Sequence, residues 1–439
     1  MLERLFRLQQ AGTTVRTELV AGATTFATLS YIIFVQPAVL AGAGMDTGAV
    51  MAATCIASGF ATALMGLAAN YPIAVAPAMG HNFFFVYAVT QLGLPWPVAL
   101  GADFLAGALF ILLAAVRFRE AVIDAVPEPL KAAIPVGIGL LIAFVGMQWG
   151  GIVVGSPGGL VRLGELTAPA TLLTLGGFGL ITVLHLRRVP GAILIGMLAT
   201  TVAGAMLGLL SYRGVVGRPP SLTPTLLELD VAGALRWEYV DVVLVFLFLA
   251  VFDTVGTLIG VGTQAGLLRN GKLPRAGRAL LADATGTTVG TLLGTSTVTA
   301  YIESAAGVAA GGRTGLANLA TAALLFGSLL FYPLAQLVGG GVGAPGGATL
   351  YPVTAAALIT VGSLMMRNVA QVQWDDPAEA IPAFLTIAIM PLSLSIADGL
   401  AFGFVSYAVL KAVSGRAREV SWLVYLLAGL FVLRFALDI

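Results

Sequence analysis

GTSTVTAYIESAAGV (residues 294–308) decides the reading of this chain. It lies in an apolar region, yet it opens with alternating threonines and small residues that suit extended backbone better than helix. It then passes Glu303 into a run of small residues from which a short helix can start. The first half holds a stretch of the same kind, ANYPIAVAPAMGHNFFF (69–85), where prolines oppose a continuous helix and a helical run starts near Gly80. Each follows a helix of small residues. Lipid cannot satisfy free N–H and C=O groups, so extended backbone at membrane depth must be buried and paired. Two such stretches can satisfy each other as a small two-stranded element. The half-helices that follow then aim unpaired N–H groups and positive dipole ends at the midplane. Broken segments at corresponding places in two halves point to a transporter site.

Composition agrees with a membrane chain. Of 439 residues 58% are hydrophobic and 10% charged, against about 25% charged in a soluble domain. The 55 glycines fit helices packed closely in lipid. A net charge of +1 gives no footing for nucleic acid, so none is expected as a partner. The single cysteine, Cys55, excludes an intrachain disulfide. The two histidines, His81 and His185, are far apart, so no metal site is expected. Arg4, Arg7 and Arg16 precede an apolar run too long for a signal-peptide core, so that run is expected to stay in the mature chain.

Runs long enough to cross a core of about 30 Å cover 19–41, 47–69, 72–90, 95–116, 130–150, 168–186, 190–211, 240–266, 277–294, 296–311, 314–337, 348–366, 380–396 and 397–413. The stretch 421–437 is a further apolar segment that either spans or lies at the interface. With the N-terminus in the cytoplasm, most basic residues fall inside: the first three arginines, then Arg117, Arg119, Lys131, Arg187, Arg188, Arg269, Lys272, Arg275, Arg278, Arg313, Arg367, Lys411, Arg416 and Arg418. Arg162, Arg213, Arg218, Arg236 and Arg434 do not. The polar connection 212–239 leaves seven segments on each side, and an odd number requires related halves to be inverted. The expectation is an all-α polytopic membrane protein of 14 segments in two inverted seven-segment repeats, with short antiparallel β-strands in segments 3 and 10.

Residues 242–268 hold one ionisable group, Asp253, near the middle of the run, and between Asp283 and Arg313 the only charge is Glu303. A carboxylate at that depth costs at least about 2.5–3.5 kcal/mol, which makes both functional candidates. The plainer alternative is a carboxylate that caps a broken helix. Asp283 reads either as an N-cap or as a supporting proton partner. Asp103, alone in segment 4, reads as a helix-packing group. His81 packs or titrates, Asn82 caps the first half-helix or binds ligand, and Phe83 to Phe85 pack or stack on a flat ring. No nucleophile–base or metal constellation is visible, so an enzyme is not expected.

At these motifs the chain resembles a known family. TELVAGATTFATLSYIIFVQPAVL (17–40), the 69–85 stretch, FDTVGTLIGV (252–261) and the long block from Gly271 to Leu316 are similar to the azaguanine/hypoxanthine purine permease branch of the nucleobase–cation symporters, the nucleobase/ascorbate transporters. The resemblance spans essentially the whole chain. It implies a core domain (1–116 and 240–337), a gate domain (117–211 and 338–439), and 212–239 as an extracytoplasmic connection. It implies proton-coupled uptake of adenine, guanine or hypoxanthine, often by a homodimer in the cell membrane, with the proton as coupling ion and no cofactor. By motif, Asp253 and Glu303 would hydrogen-bond the purine, Asn82 would contribute from the first half-helix with Gly80 and Phe83 nearby, and Asp283 would support Glu303 or move the proton. His81 joins Asp253, Glu303 and Asp283 as a proton-coupling candidate. Relatives commonly read APGMGLNAFF where this chain has APAMGHNFFF, so Ala78, His81 and Phe84 bear on base preference. A uracil, xanthine or urate carrier, or an anion carrier of the same architecture, is the alternative. Two midplane carboxylates would repel an anion.

Overall fold

A computed structural model of the protein describes residues 2–115, 127–156, 159–212, 214–267, 273–343 and 349–436. Arg117, Arg119, Arg213, Arg269 and Lys272, the Arg434 side chain, and the expected segment ends at 116, 348 and 437 lie outside the described residues. The chain forms two compact units, 1–115 with 167–357, and 116–166 with 358–439. These units are not drawn at the boundaries that the resemblance implies for core and gate, because 167–211 and 338–357 fall within the first.

Helices occupy the expected segments. Segment 1 is two helices, Val15–Leu29 and Ile32–Ala41, and segment 2 is Thr47–Ala68. Segments 4 to 7 are Trp96–Ala115, Glu128–Trp149, Pro169–Leu186 and Ala192–Met206. Segments 8 and 9 are Val240–Gln264 and Ala276–Leu293, and segment 11 opens with Gly315–Gly327. Segments 12 to 14 are Pro352–Met365, Pro377–Ser393 and Ile396–Val413. The apolar stretch near the C-terminus is a helix, Trp422–Ala436, packed on segment 14. Among the described residues nine helices are long and apolar enough to cross a membrane. The shortfall from fourteen has physical causes. Segments 3 and 10 are broken, segments 7 and 13 are shorter helices, and the helix of segment 9 is rich in Gly and Thr and carries Asp283.

The break in segment 3 is a strand, Val75–Pro77, followed by the helix Met79–Thr90; in segment 10 it is Val298–Ala300, followed by Ser304–Ala309. The strands pair antiparallel, Val75 with Ala300, Ala76 with Thr299 and Pro77 with Val298. Two further strand pairs, one within 153–163 and one within 342–350, lie outside these segments. Pro77 has no N–H to give, which a ladder only two strands wide tolerates. The helix ahead of each strand ends on a left-handed residue, Asn70 (φ 53°) and Gly294 (φ 95°).

Side chains complete the strand edges, and they do so twice over. Thr62 of segment 2 accepts from the Val75 N–H at 2.9 Å, and Thr287 of segment 9 donates to the Val298 carbonyl at 2.8 Å. Asn318 of segment 11 donates to Ile73 O at 2.6 Å, while Asp103 of segment 4 accepts from the Thr297 N–H at 2.6 Å and from its hydroxyl. Segments 2 and 9, and segments 4 and 11, hold equivalent places in the two repeats. Packing repeats the exchange: segment 4 lies on segments 8 and 9, and segment 11 lies on segments 1 and 2. Small residues permit it, since a Cβ on Gly66 would sit 2.6 Å from the Gly315 carbonyl.

The connection 212–239 is docked rather than free. Thr225 is buried and donates to Leu293 O at 3.1 Å, and the Asp230 N–H donates to Pro97 O at 2.8 Å. In the second unit a charged cluster joins segments 13 and 14. Lys411, 1% exposed, pairs with Glu379 at 2.5 Å and Glu419 at 3.0 Å, and Arg416 pairs with Asp376 at 2.5 Å. The Arg416 guanidinium holds the Asp376 carboxyl below its ordinary range, and Lys411 does the same for Glu419.

Candidate functional site

Asp253 lies mid-way along the segment 8 helix and is exposed. Thr299, the middle residue of the segment 10 strand, donates to Asp253 Oδ2 at 3.1 Å. Four residues on, Glu303 is half-buried just ahead of the short helix, and its charge interacts with that of Asp253. The Tyr31 hydroxyl, from the break in segment 1, donates to Glu303 Oε1 at 2.8 Å. Tyr301 donates to the Pro77 carbonyl at 2.6 Å, tying one strand's end to the other. The strand pair therefore sets one acid against the helix that carries the other.

Asp283 is fully buried; Thr254 donates to its Oδ2 at 2.6 Å, and the Ala300 backbone N–H also acts on the carboxylate. Its charge interacts with Asp253. The N-cap reading of Asp283 is corrected here: the helix begins at Ala276, so Asp283 lies two turns inside it. Its hydroxyl partner adjoins Asp253 in sequence rather than Glu303.

Asn82 is fully buried, and its amide donates to Gln36 Oε1 and accepts from the Ser296 hydroxyl. Gln36 in turn donates to Thr295 and Ser296 at 3.0 Å. The helix cap is Ala78, so Asn82 does not serve as N-cap. Its polar atoms are committed to residues that hold the start of the second strand. Gly80 is in the first helical turn, where backbone N–H groups have no partner within the helix. Phe83 is 9% exposed and Phe84 packs edge-on against Phe246 at 4.8 Å. His81 is buried, its ring hydrogen-bonds the Phe246 backbone, and its Nε2 has no partner. Asp103 holds Thr297, as a packing group would.

Sequence reading missed Tyr31, Thr299, Thr254 and Gln36. The chain is full of hydroxyls in apolar runs, and nothing local distinguishes those that face an acid some 30 to 270 residues away. The break at Ser30–Tyr31 carried no proline or glycine to announce it.

The sequence profile described as "Permease family" matches residues 16–402. The chain belongs to this family. An adenine permease of Escherichia coli is 44% identical over 99% of this chain and 96% of its own length. A guanine/hypoxanthine permease of Bacillus subtilis is 44% identical over 98% of this chain and 99% of its own. Among solved structures, the transmembrane domain of a cyanobacterium bicarbonate transporter shares the fold, with a TM-score of 0.62 at 17% identity, covering 91% of this chain and 97% of that one. The permease is a multi-pass membrane protein with fourteen segments in two inverted repeats and antiparallel strands in segments 3 and 10.

Proposed function

We propose that the permease imports purine nucleobases together with a proton, by alternating access. The observation that carries this reading is the meeting of Asp253 and Glu303 beside the paired strands, each held by a hydroxyl through one oxygen. Among the described residues no side-chain donor occupies the other oxygens, which leaves acceptors for ring N–H groups on a purine edge. A base lacking the matching edge would leave these groups unpaired, and that discriminates strongly. The names of the two permeases at 44% identity support purines over pyrimidines. Two acids in one place oppose an anionic substrate, so the fold shared with a bicarbonate transporter does not extend to its cargo.

In this reading the acids take up the coupling proton, with Asp283 beside Asp253, and the core (1–116, 240–337) moves against the gate (117–211, 338–439). The N-terminus is cytoplasmic, the compartment boundary is the cell membrane, and two copies pair as a homodimer. The test is uptake of radiolabelled hypoxanthine into proteoliposomes with an inwardly directed proton gradient. Adenine and guanine should compete, uracil should not, and a protonophore should stop accumulation. Accumulation that ignores the protonophore, or that uracil competes best, would overturn the proposal.

A further inference from the structure

We infer that Tyr31, with Thr28 one turn before it, is a positioning residue that fixes Glu303 and thereby sets affinity for the transported base. This rests on Glu303 as a base ligand, proposed above. The two helices of segment 1 end at Leu29 and restart at Ile32, and Tyr31 stands in the gap. It is 2% exposed. A buried tyrosine keeps its hydroxyl bonded, and here the acceptor is Glu303 Oε1 at 2.8 Å. Thr28, three residues earlier, brings its hydroxyl within 3.2 Å of the Glu303 backbone carbonyl, sharing its one hydrogen with Thr25 O at 2.8 Å and Thr24 O at 3.1 Å in its own helix. One face of the first repeat thus touches both the backbone and the side chain of one acid in the second.

The other groups around Glu303 do not do this. Its own backbone amide lies against the carboxylate, and Asp253 acts on it only through charge. The Tyr301 ring is 6.5 Å from that of Tyr31 and the two hydroxyls interact, but the Tyr301 hydroxyl gives its hydrogen to Pro77 O at 2.6 Å. A phenol has one hydrogen to donate and a carboxylate has two oxygens. With Oε1 held, the carboxylate is restrained and Oε2 is the oxygen left for the base. An unheld glutamate would lose side-chain freedom when the base binds, which weakens affinity. Holding it beforehand removes that loss.

The test is Tyr31→Phe, which keeps the ring and its packing. Equilibrium binding of radiolabelled hypoxanthine to purified protein should weaken about fivefold, as expected when the freed glutamate side chain must be immobilised as the base binds. Half-saturation for uptake should rise in parallel, with maximal rate within about twofold and the melting temperature of ligand-free protein lowered by no more than the few degrees that one hydrogen bond accounts for. Thr28→Val should weaken binding less, by about twofold. It provides the same readout if Tyr31→Phe protein does not accumulate. A structural role would instead lower melting temperature and maximal rate with affinity retained, and that result overturns the inference. Glu303→Gln separates the two levels: normal binding in that variant removes Glu303 from the site, whereas lost binding there with normal binding in Tyr31→Phe removes Tyr31 alone.

Discussion

Glu303→Gln is expected to lower affinity for hypoxanthine by roughly 100-fold, near 2.7 kcal/mol, and to abolish measurable uptake at micromolar base. The amide keeps the size of the side chain and one acceptor oxygen. It replaces the other with an NH2 group, which presents donors where a purine N–H requires an acceptor. The neutral group also cannot take part in proton exchange. Because Tyr31 already holds Oε1, the amide orients with its carbonyl toward the phenol and its NH2 toward the base, the least favourable arrangement. Equilibrium binding and proteoliposome uptake of the same preparation check this. Near-normal uptake with normal affinity would remove Glu303 from the binding role.

Asp103→Ala is expected to damage the site from a distance. Asp103 is fully buried and accepts from both the N–H and the hydroxyl of Thr297, immediately ahead of the segment 10 strand. Deleting the carboxylate leaves two buried donors without partners, at about 1–3 kcal/mol each. The strand it anchors carries Thr299, the hydroxyl partner of Asp253. Thermal unfolding of the purified variant should fall clearly, and uptake should fall with it. Asp103→Asn, which retains one acceptor oxygen, should be milder on both measures. An alanine variant with wild-type melting and uptake would show that other bonds hold the strand.

The two breaks were legible because their sequences conflict with helix at a depth where nothing else is tolerated. Pro72 and Pro77 oppose one helix, the Thr-rich alternation at 295–299 opposes the other, and Gly294 ends the helix ahead of it. Asp253 and Glu303 were legible because a lone acid in an apolar run has few reasons to be there. What the sequence hides is partnership. Asp103 and Thr297 are 194 residues apart, and Tyr31 and Glu303 are 272 apart. Asn82, a polar residue beside a half-helix, reads from sequence as a cap or a ligand, and its neighbours are not visible there. Its two neighbours, Gln36 and Ser296, come from opposite ends of the chain and occupy its amide. The segment expected from 277 and the helix observed from Ala276 agree on where this helix starts, so an N-cap role for Asp283, two turns inside, is excluded by the helix boundary itself. The purine question was legible only through resemblance, since hydrogen-bonding acids suit several flat heterocycles.

A flat base bound beside Asp253 at the paired breaks would cover the neighbouring turn of the segment 8 helix. Gly256, one turn from Asp253 on the same exposed helix face, has open space where a Cβ would stand. The only natural cysteine, Cys55, is buried. A Cys55→Ala, Gly256→Cys protein should therefore react with a membrane-permeant maleimide, and hypoxanthine should slow that reaction with the concentration dependence of its own binding. Labelling that proceeds at the same rate in saturating hypoxanthine, in a protein that still transports it, would contradict the account.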